Sequence, residues 1–233
     1  MLNEDRTFSI LRAAAATGSS TWLMPSVQET GPNDLHGADA LADAALRACL
    51  PLLSEMTGAD LDRTGVVIGT AFGCLETDRL FDRSRREHGG RYASPAAFSR
   101  TLPSTVAAEL ALKLSLRGPG LVITRGNAST ALALRRAVSW MVHLELAYCI
   151  AGGMEWAEVS GATAALVLIG RDRNDAGTLC VKSFRESDHD HADAGIPSLQ
   201  KLFDWIQGER HVAVGNGVEL RTARQFLADD API

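Results

Sequence analysis

The chain lacks the marks of export, of a metal framework and of a membrane span. Only four cysteines occur in 233 residues, at Cys49, Cys74, Cys149 and Cys180. No two have CxxC spacing, and no histidine stands at zinc-finger distance from them. Buried free thiols are expected rather than disulfides or a metal cluster. Basic residues do not dominate: 23 Lys and Arg face 28 Asp and Glu, for a net charge of −5. Nucleic-acid binders carry a basic domain, so a nucleic-acid partner is not expected. No apolar run approaches the ~18 residues of a membrane span. Acids stand near the start, at Glu4 and Asp5, where a signal peptide carries bases, so a cytoplasmic location is expected. The pairing of low hydrophobicity with high net charge that marks disorder is also missing, because 46% of residues are hydrophobic.

What is present is an alternation of strand-like and helical stretches. Residues 7–16 are short and apolar-leaning and read as a first strand. In 38–56, Leu41, Ala45, Ala48, Cys49, Leu52 and Met56 recur at helical spacing, with Pro51 bending or dividing the helix. Residues 65–70 form a β-branched run that reads as a buried strand. Residues 104–116 read as a helix, 121–124 as a strand, 128–146 as a long helix and 147–151 as a strand ending at Gly152-Gly153. Residues 163–169 and 178–184 read as two further strands, antiparallel across a polar turn. Residues 198–206 read as a helix, and Asn216-Gly217 as a turn. This order predicts an α/β fold with a mostly parallel five-stranded sheet, helices on both faces and a short C-terminal tail. The expected organisation is a domain over 1–185, followed by a polar loop and tail over 186–233.

The 128–146 helix is unusually apolar. Arg135, Arg136, Ser139 and His143 share one stripe of about 100° on the helical wheel. Apolar side chains cover most of the remainder, roughly twice the width that a helix on one sheet face needs. A second cover is expected, from the tail or from a partner chain.

Three segments then fit one family in order and spacing. They are Gly65-Val66-Val67-Ile68-Gly69-Thr70-Ala71-Phe72-Gly73, the 94–104 loop Ser94-Pro95-Ala96-Ala97-Phe98-Ser99-Arg100-Thr101-Leu102-Pro103-Ser104, and Leu116-Arg117-Gly118-Pro119-Gly120. With the small-residue turn at 124–130 and the strand end Gly152-Gly153-Met154-Glu155, they resemble the N-terminal half of β-ketoacyl synthases of the thiolase fold. The resemblance spans about residues 38–168.

In that family the residue opening the long helix is a nucleophilic cysteine. The helix N-terminus favours its thiolate, which accepts an acyl chain as a thioester. Aligning Thr124-Arg125-Gly126-Asn127-Ala128-Ser129 with the cysteine motif puts Asn127 at that position. An amide has no ionisable nucleophile and only donates and accepts hydrogen bonds. The family's two histidines and lysine, which drive decarboxylation, come from the C-terminal half. None of His36, His88, His143, His189, His191 and His211 sits in a matching glycine-flanked motif. No catalytic residue is therefore assigned.

The resemblance implies a non-catalytic, chain-length-factor-like subunit of a type II polyketide, fatty-acid-like or aryl polyene system. Its implied partner is an active β-ketoacyl synthase, with an acyl carrier protein as a further candidate. Strand 121–124 would pair with the partner's strand. Phe72, Phe98, Thr101, Leu102, Pro103, Leu121, Val122, Ile123 and Thr124 are the implied pocket or interface residues. No cofactor and no metal are implied.

Other readings stay open at this point. One is a stand-alone acyl-thioester hydrolase, decarboxylase or acyltransferase using Ser129, Cys74 or the Asn127 pocket. Another is a homodimeric scaffold. Asn127 suits a helix N-cap or a contact to an acyl carbonyl. Asp188-His189-Asp190-His191 has metal-ligand residue types, with a solvated loop as the plainer reading. Arg83, Arg85, Arg86 and Arg91 suit either an acidic carrier protein or a solvated helix face.

Overall fold

The computed structural model describes residues 6–17, 36–87, 89–90, 93–157, 161–170, 177–181, 198–208, 211–215 and 218–222. Among them eight strands form one sheet, in the order β3-β2-β4-β5-β1-β6-β8-β7. The strands are β1 (Arg6–Thr17), β2 (Thr64–Thr70), β3 (Gly120–Thr124), β4 (Tyr148–Ala157), β5 (Gly161–Gly170), β6 (Gly177–Val181), β7 (His211–Gly215) and β8 (Val218–Thr222). The helices are α1 (His36–Leu53), α2 (Gly58–Asp62), α3 (Leu75–Glu87), α4 (Pro95–Ser99), α5 (Ser104–Leu114), α6 (Ser129–His143) and α7 (Ser198–Ile206). Pro51 sits near the end of α1, which stops two residues later.

The sheet is mixed, not mostly parallel. β2 runs parallel to β3 and β4, while β4–β5, β5–β1, β1–β6, β6–β8 and β8–β7 are all antiparallel. The sheet has eight strands where five were expected: the six strand-like stretches read from the sequence correspond to β1–β6, and β7 and β8 extend the layer. The parallel part is limited to the three strands whose crossovers carry helices. Beyond it, β4 and β5 form a hairpin, which is antiparallel by construction. The expected antiparallel pairing of the 163–169 and 178–184 strands is also corrected. β1 lies between them, antiparallel to each, so β5 and β6 run in the same direction. Ser9 faces Gly170 on one side and Thr178 on the other. The N-terminal strand supplies hydrogen bonds that a local hairpin would otherwise have used.

Strand residues alternate between two cores. Val66, Ile68, Ile150, Leu166 and Leu168 face α1 and α5, together with Leu41, Ala45, Leu52 and Leu110. Val67, Cys149, Ala151, Val167 and Ile169 face α6. Burial on both faces explains the near-continuous apolar runs. The tail supplies the second cover expected for α6: Leu202 and Trp205 of α7, with Val218 and Leu220 of β8, join the same core. The tail is thus part of the sheet and of its α6 side.

Candidate functional site: the corner between β3 and α6

β2, β3 and β4 end at one corner, and α6 starts there. Gly69 permits the approach. A Cβ on it would lie 2.3 Å from the Ser129 backbone, so any side chain would push α6 off β2. Gly73 does the same for the turn after β2. It sits at φ +63°, and a Cβ there would meet Pro103 at 2.9 Å and Thr124 Oγ1 at 3.9 Å. The turn after β2, the 94–104 loop and the end of β3 are therefore in mutual contact.

Asn127 lies in a single 3-10 turn, Gly126–Ala128, between β3 and α6, and it is exposed. It does not cap α6. The N-cap position belongs to Ala128, which makes no side-chain cap bond. Ser129 organises this corner instead. Its Oγ accepts from the Arg125 amide at 2.7 Å and donates to the Gly126 carbonyl at 2.7 Å. Ser129 is buried, and its one hydroxyl proton goes to a backbone carbonyl, which is no general base.

Cys74 is similarly occupied. Its thiol donates to the Thr101 carbonyl and lies 3.7 Å from an Asp78 carboxylate oxygen. Burial and then the Asp78 charge push the thiol pKa up to about 11, so little thiolate forms near neutrality. Burial alone raises Cys49 to about 12 and drives Cys149 up as well. No described cysteine is activated.

Sequence reasoning missed the role of Glu155, at the end of the Gly-Gly strand. Its carboxylate accepts from the Ala71 amide at 2.6 Å, the Thr70 hydroxyl at 3.2 Å and the Phe72 amide at 3.4 Å. Thr70 Oγ1 in turn accepts from the Gly73 amide at 3.0 Å. Burial raises the Glu155 pKa, against the pull of these donors and the Trp156 amide. Glu155 therefore ties β4 to the turn that presents Phe72. The strand end Gly152-Gly153-Met154-Glu155 was visible in the sequence, but the partners of Glu155 lie 83 to 85 positions away.

Part of the implied interface set meets at this corner, where Gly73, next to Phe72, approaches Pro103 and Thr124. β3 is a sheet edge, and Leu121, Val122 and Ile123 are each partly exposed. Phe72, Phe98 and Leu102 are exposed to 65%, 61% and 63% of their full area. Isolated exposed apolar side chains are ordinary, but three large ones beside a strand edge are not. The 94–104 loop is held firmly. Ser94 Oγ caps α4 through the Ala97 amide, Phe98 packs on Phe81 with centroids 5.4 Å apart, and Thr101 donates to the Phe98 carbonyl.

The remaining candidates fall elsewhere. Arg85 and Arg86 pair with Asp82 on the exposed face of α3. Arg91 and the Asp188–His191 run lie outside the described residues. Among the described residues no group of His, Cys, Asp and Glu is placed to hold a metal, and no helix is long and apolar enough to cross a membrane.

The β-ketoacyl synthase N-terminal domain family matches residues 19–195, well over half of the chain. The chain belongs to this family. No curated protein matches it. Among solved structures it is similar to a ketosynthase (ApeO) in complex with its chain length factor (ApeC) from Xenorhabdus doucetiae. That match has 17% identity and a TM-score of 0.59, over 92% of this chain and 98% of that one. It is also similar to the ishigamide ketosynthase/chain length factor, with 17% identity and a TM-score of 0.58, over 75% of this chain and 66% of that one. At these identities the likeness is one of fold.

Proposed function

We propose that this chain is a non-condensing, chain-length-factor-type subunit that pairs through β3 with an active β-ketoacyl synthase in polyketide or fatty-acid-like synthesis. One observation carries the reading. Where the family's nucleophilic cysteine would open α6, the chain presents Asn127, whose amide cannot hold a thioester. The alternative nucleophiles are engaged: Ser129 by two backbone partners, and Cys74 by Thr101 with a raised pKa. A stand-alone acyl hydrolase or transferase thus has no support at this corner. The kinds of complex named for ApeO with ApeC, and for the ishigamide pair, agree with a two-subunit assembly.

The strand edge gives that pairing a physical cause. The Val66 amide donates to the Pro119 carbonyl, and β3 alternates from there. Leu121 and Ile123 turn their backbone groups to β2, and Val122 turns its own outward. An unpaired edge flanked by apolar side chains is a template for another strand.

Co-expression with an active ketosynthase of the same pathway tests the proposal. The two chains should co-purify, and the complex should condense acyl and malonyl units delivered by a carrier protein. Replacing Asn127 by Ala should leave that condensation within a few-fold of wild type. A loss of several hundred-fold would assign Asn127 a direct part in the chemistry. A chain that remains a homodimer and ignores the ketosynthase would make it a scaffold instead.

A further inference from the structure

A cavity of about 270 Å³ lies between the start of α3, Leu41 of α1 and the end of β4. Leu41, Phe72, Leu75 and Trp156 make its walls mainly apolar, and Thr77 and Glu155 belong to the same lining. Small-molecule sites have this make-up: concave and mostly apolar, with a few converging polar groups.

Thr77 is the unusual member. It is only 4% exposed, and its Oγ1 has no hydrogen-bond partner among the described residues. A buried hydroxyl left unmet costs stability, and nearly all such groups in folded proteins have a partner. Threonine in a helix populates two χ1 rotamers, which exchange its hydroxyl with its methyl group. The Thr77 hydroxyl can therefore turn to a molecule at this wall.

Glu155 is the second polar group. Its Oε1 accepts two long bonds, from the Thr70 hydroxyl at 3.2 Å and the Phe72 amide at 3.4 Å. No basic side chain among the described residues is paired with it, and burial raises its pKa. Arg79, on the same lining, is engaged with Glu76 at 3.7 Å.

These groups select among occupants. An anion would meet two carboxylates and an arginine already paired. A purely apolar molecule would leave Thr77 Oγ1 unmet and would desolvate Glu155 further. A donor head serves both groups, and a positive charge makes its bond to a carboxylate charge-assisted. The aromatic rings of Phe72 and Trp156 favour a cation over a neutral donor, since ring faces attract positive charge.

We propose that this cavity binds a small primary amine, its ammonium donating to Glu155 and to the Thr77 hydroxyl and its apolar body lying against Phe72, Leu75 and Trp156. The site does not depend on the pairing reading above.

Three probes of one size, added to the full chain, test it: phenethylamine, phenethyl alcohol and phenylacetate. Binding is read by two-dimensional amide NMR near neutral pH. Phenethylamine should bind with a Kd of about 1 mM or tighter and shift the Ala71, Phe72 and Trp156 amides. The alcohol should bind about ten-fold more weakly, and the acid should not bind. Thr77→Val keeps the shape and removes the hydroxyl. It should weaken the amine about ten-fold while Tm stays or rises, because an unmet buried group has gone. Glu155→Gln should erase the preference for the amine over the alcohol.

If no probe binds, the cavity takes only solvent and the inference fails. It fails equally if amine and alcohol bind alike to the wild type, or if the acid binds best, because the carboxylate then does not select the ligand. If Thr77→Val binds the amine like wild type, the hydroxyl is no part of a site and the inference is overturned. None of these results bears on association with a ketosynthase, which co-purification measures separately.

Discussion

Glu155 shows how one side chain can organise a corner that no local pattern reveals. It is half-buried, and its ordinary solvation has been replaced by the donors of Thr70, Ala71 and Phe72. The replacement is incomplete, so its pKa is raised. The sign of the consequence follows from linkage. A carboxyl with a raised folded pKa contributes stability that is fully present below its unfolded value and is lost as pH rises through the folded value. Exposed Asp60 and Asp82, whose pKa values are lowered by Thr57 and by Arg85 with Arg86, work in the opposite direction. The useful quantity is therefore the difference between wild type and Glu155→Gln. Gln keeps one acceptor oxygen, so in Glu155→Gln one of the Ala71 and Phe72 amides, which bond to different carboxylate oxygens, loses its partner, at a cost of about 1–3 kcal/mol. The wild-type advantage should shrink between about pH 4 and about pH 7, as the native carboxyl ionises. Urea unfolding at those two pH values measures both, and a gap that widens with pH contradicts the account. The same residue marks a limit of sequence reading. Glu155 was visible within a Gly-Gly strand end, yet its partners are 83 to 85 positions away. Asn127 was placed at the α6 corner by motif alone. Its capping role was misjudged, because the neighbouring Ser129 hydroxyl already satisfies the turn.

At the scale of elements, α6 and α7 carry the clearest test. The double apolar width of α6 predicted a second cover, and α7 with β8 provides it. Leu202 is fully buried against α6, so Leu202→Ala should cost about 2–5 kcal/mol through lost contacts and a cavity. Trp205 differs, because its buried indole N–H has no hydrogen-bond partner among the described residues. Trp205→Phe removes that unmet donor along with some volume, so its net cost should be well below that of Leu202→Ala. Chemical denaturation of both variants decides this, and equal losses would show the indole N–H to be better satisfied than its surroundings indicate. Local periodicity was a good guide here: the expected 198–206 helix coincides with α7, and the 65–70 and 163–169 runs with β2 and β5. Pairing direction was not legible. Which strand lies beside β5 depends on β1, more than a hundred residues earlier, and apolar alternation has the same period in parallel and antiparallel strands.

For the whole molecule, the sheet ends at β7 on one side and at β3 on the other. The turn that carries exposed Phe72 lies beside the end of β3. Backbone alternation makes that edge addressable residue by residue. Leu121 and Ile123 are bonded toward β2, so their amides should be protected in the isolated chain. Gly120, Val122 and Thr124 point outward, so theirs should exchange quickly. A partner strand added at β3 takes up the outward amides first. Hydrogen exchange with and without the ketosynthase should therefore slow Val122 and Thr124 markedly. The amides of β4 and β5, already paired on both sides, should change little. Protection that appears along β7 instead, or evenly over all strands, would mean that the partner docks elsewhere or merely stabilises the fold. Alternating protection along five residues is a signature that only strand addition produces, because a side-chain contact shields neighbouring amides without regard to which way they point.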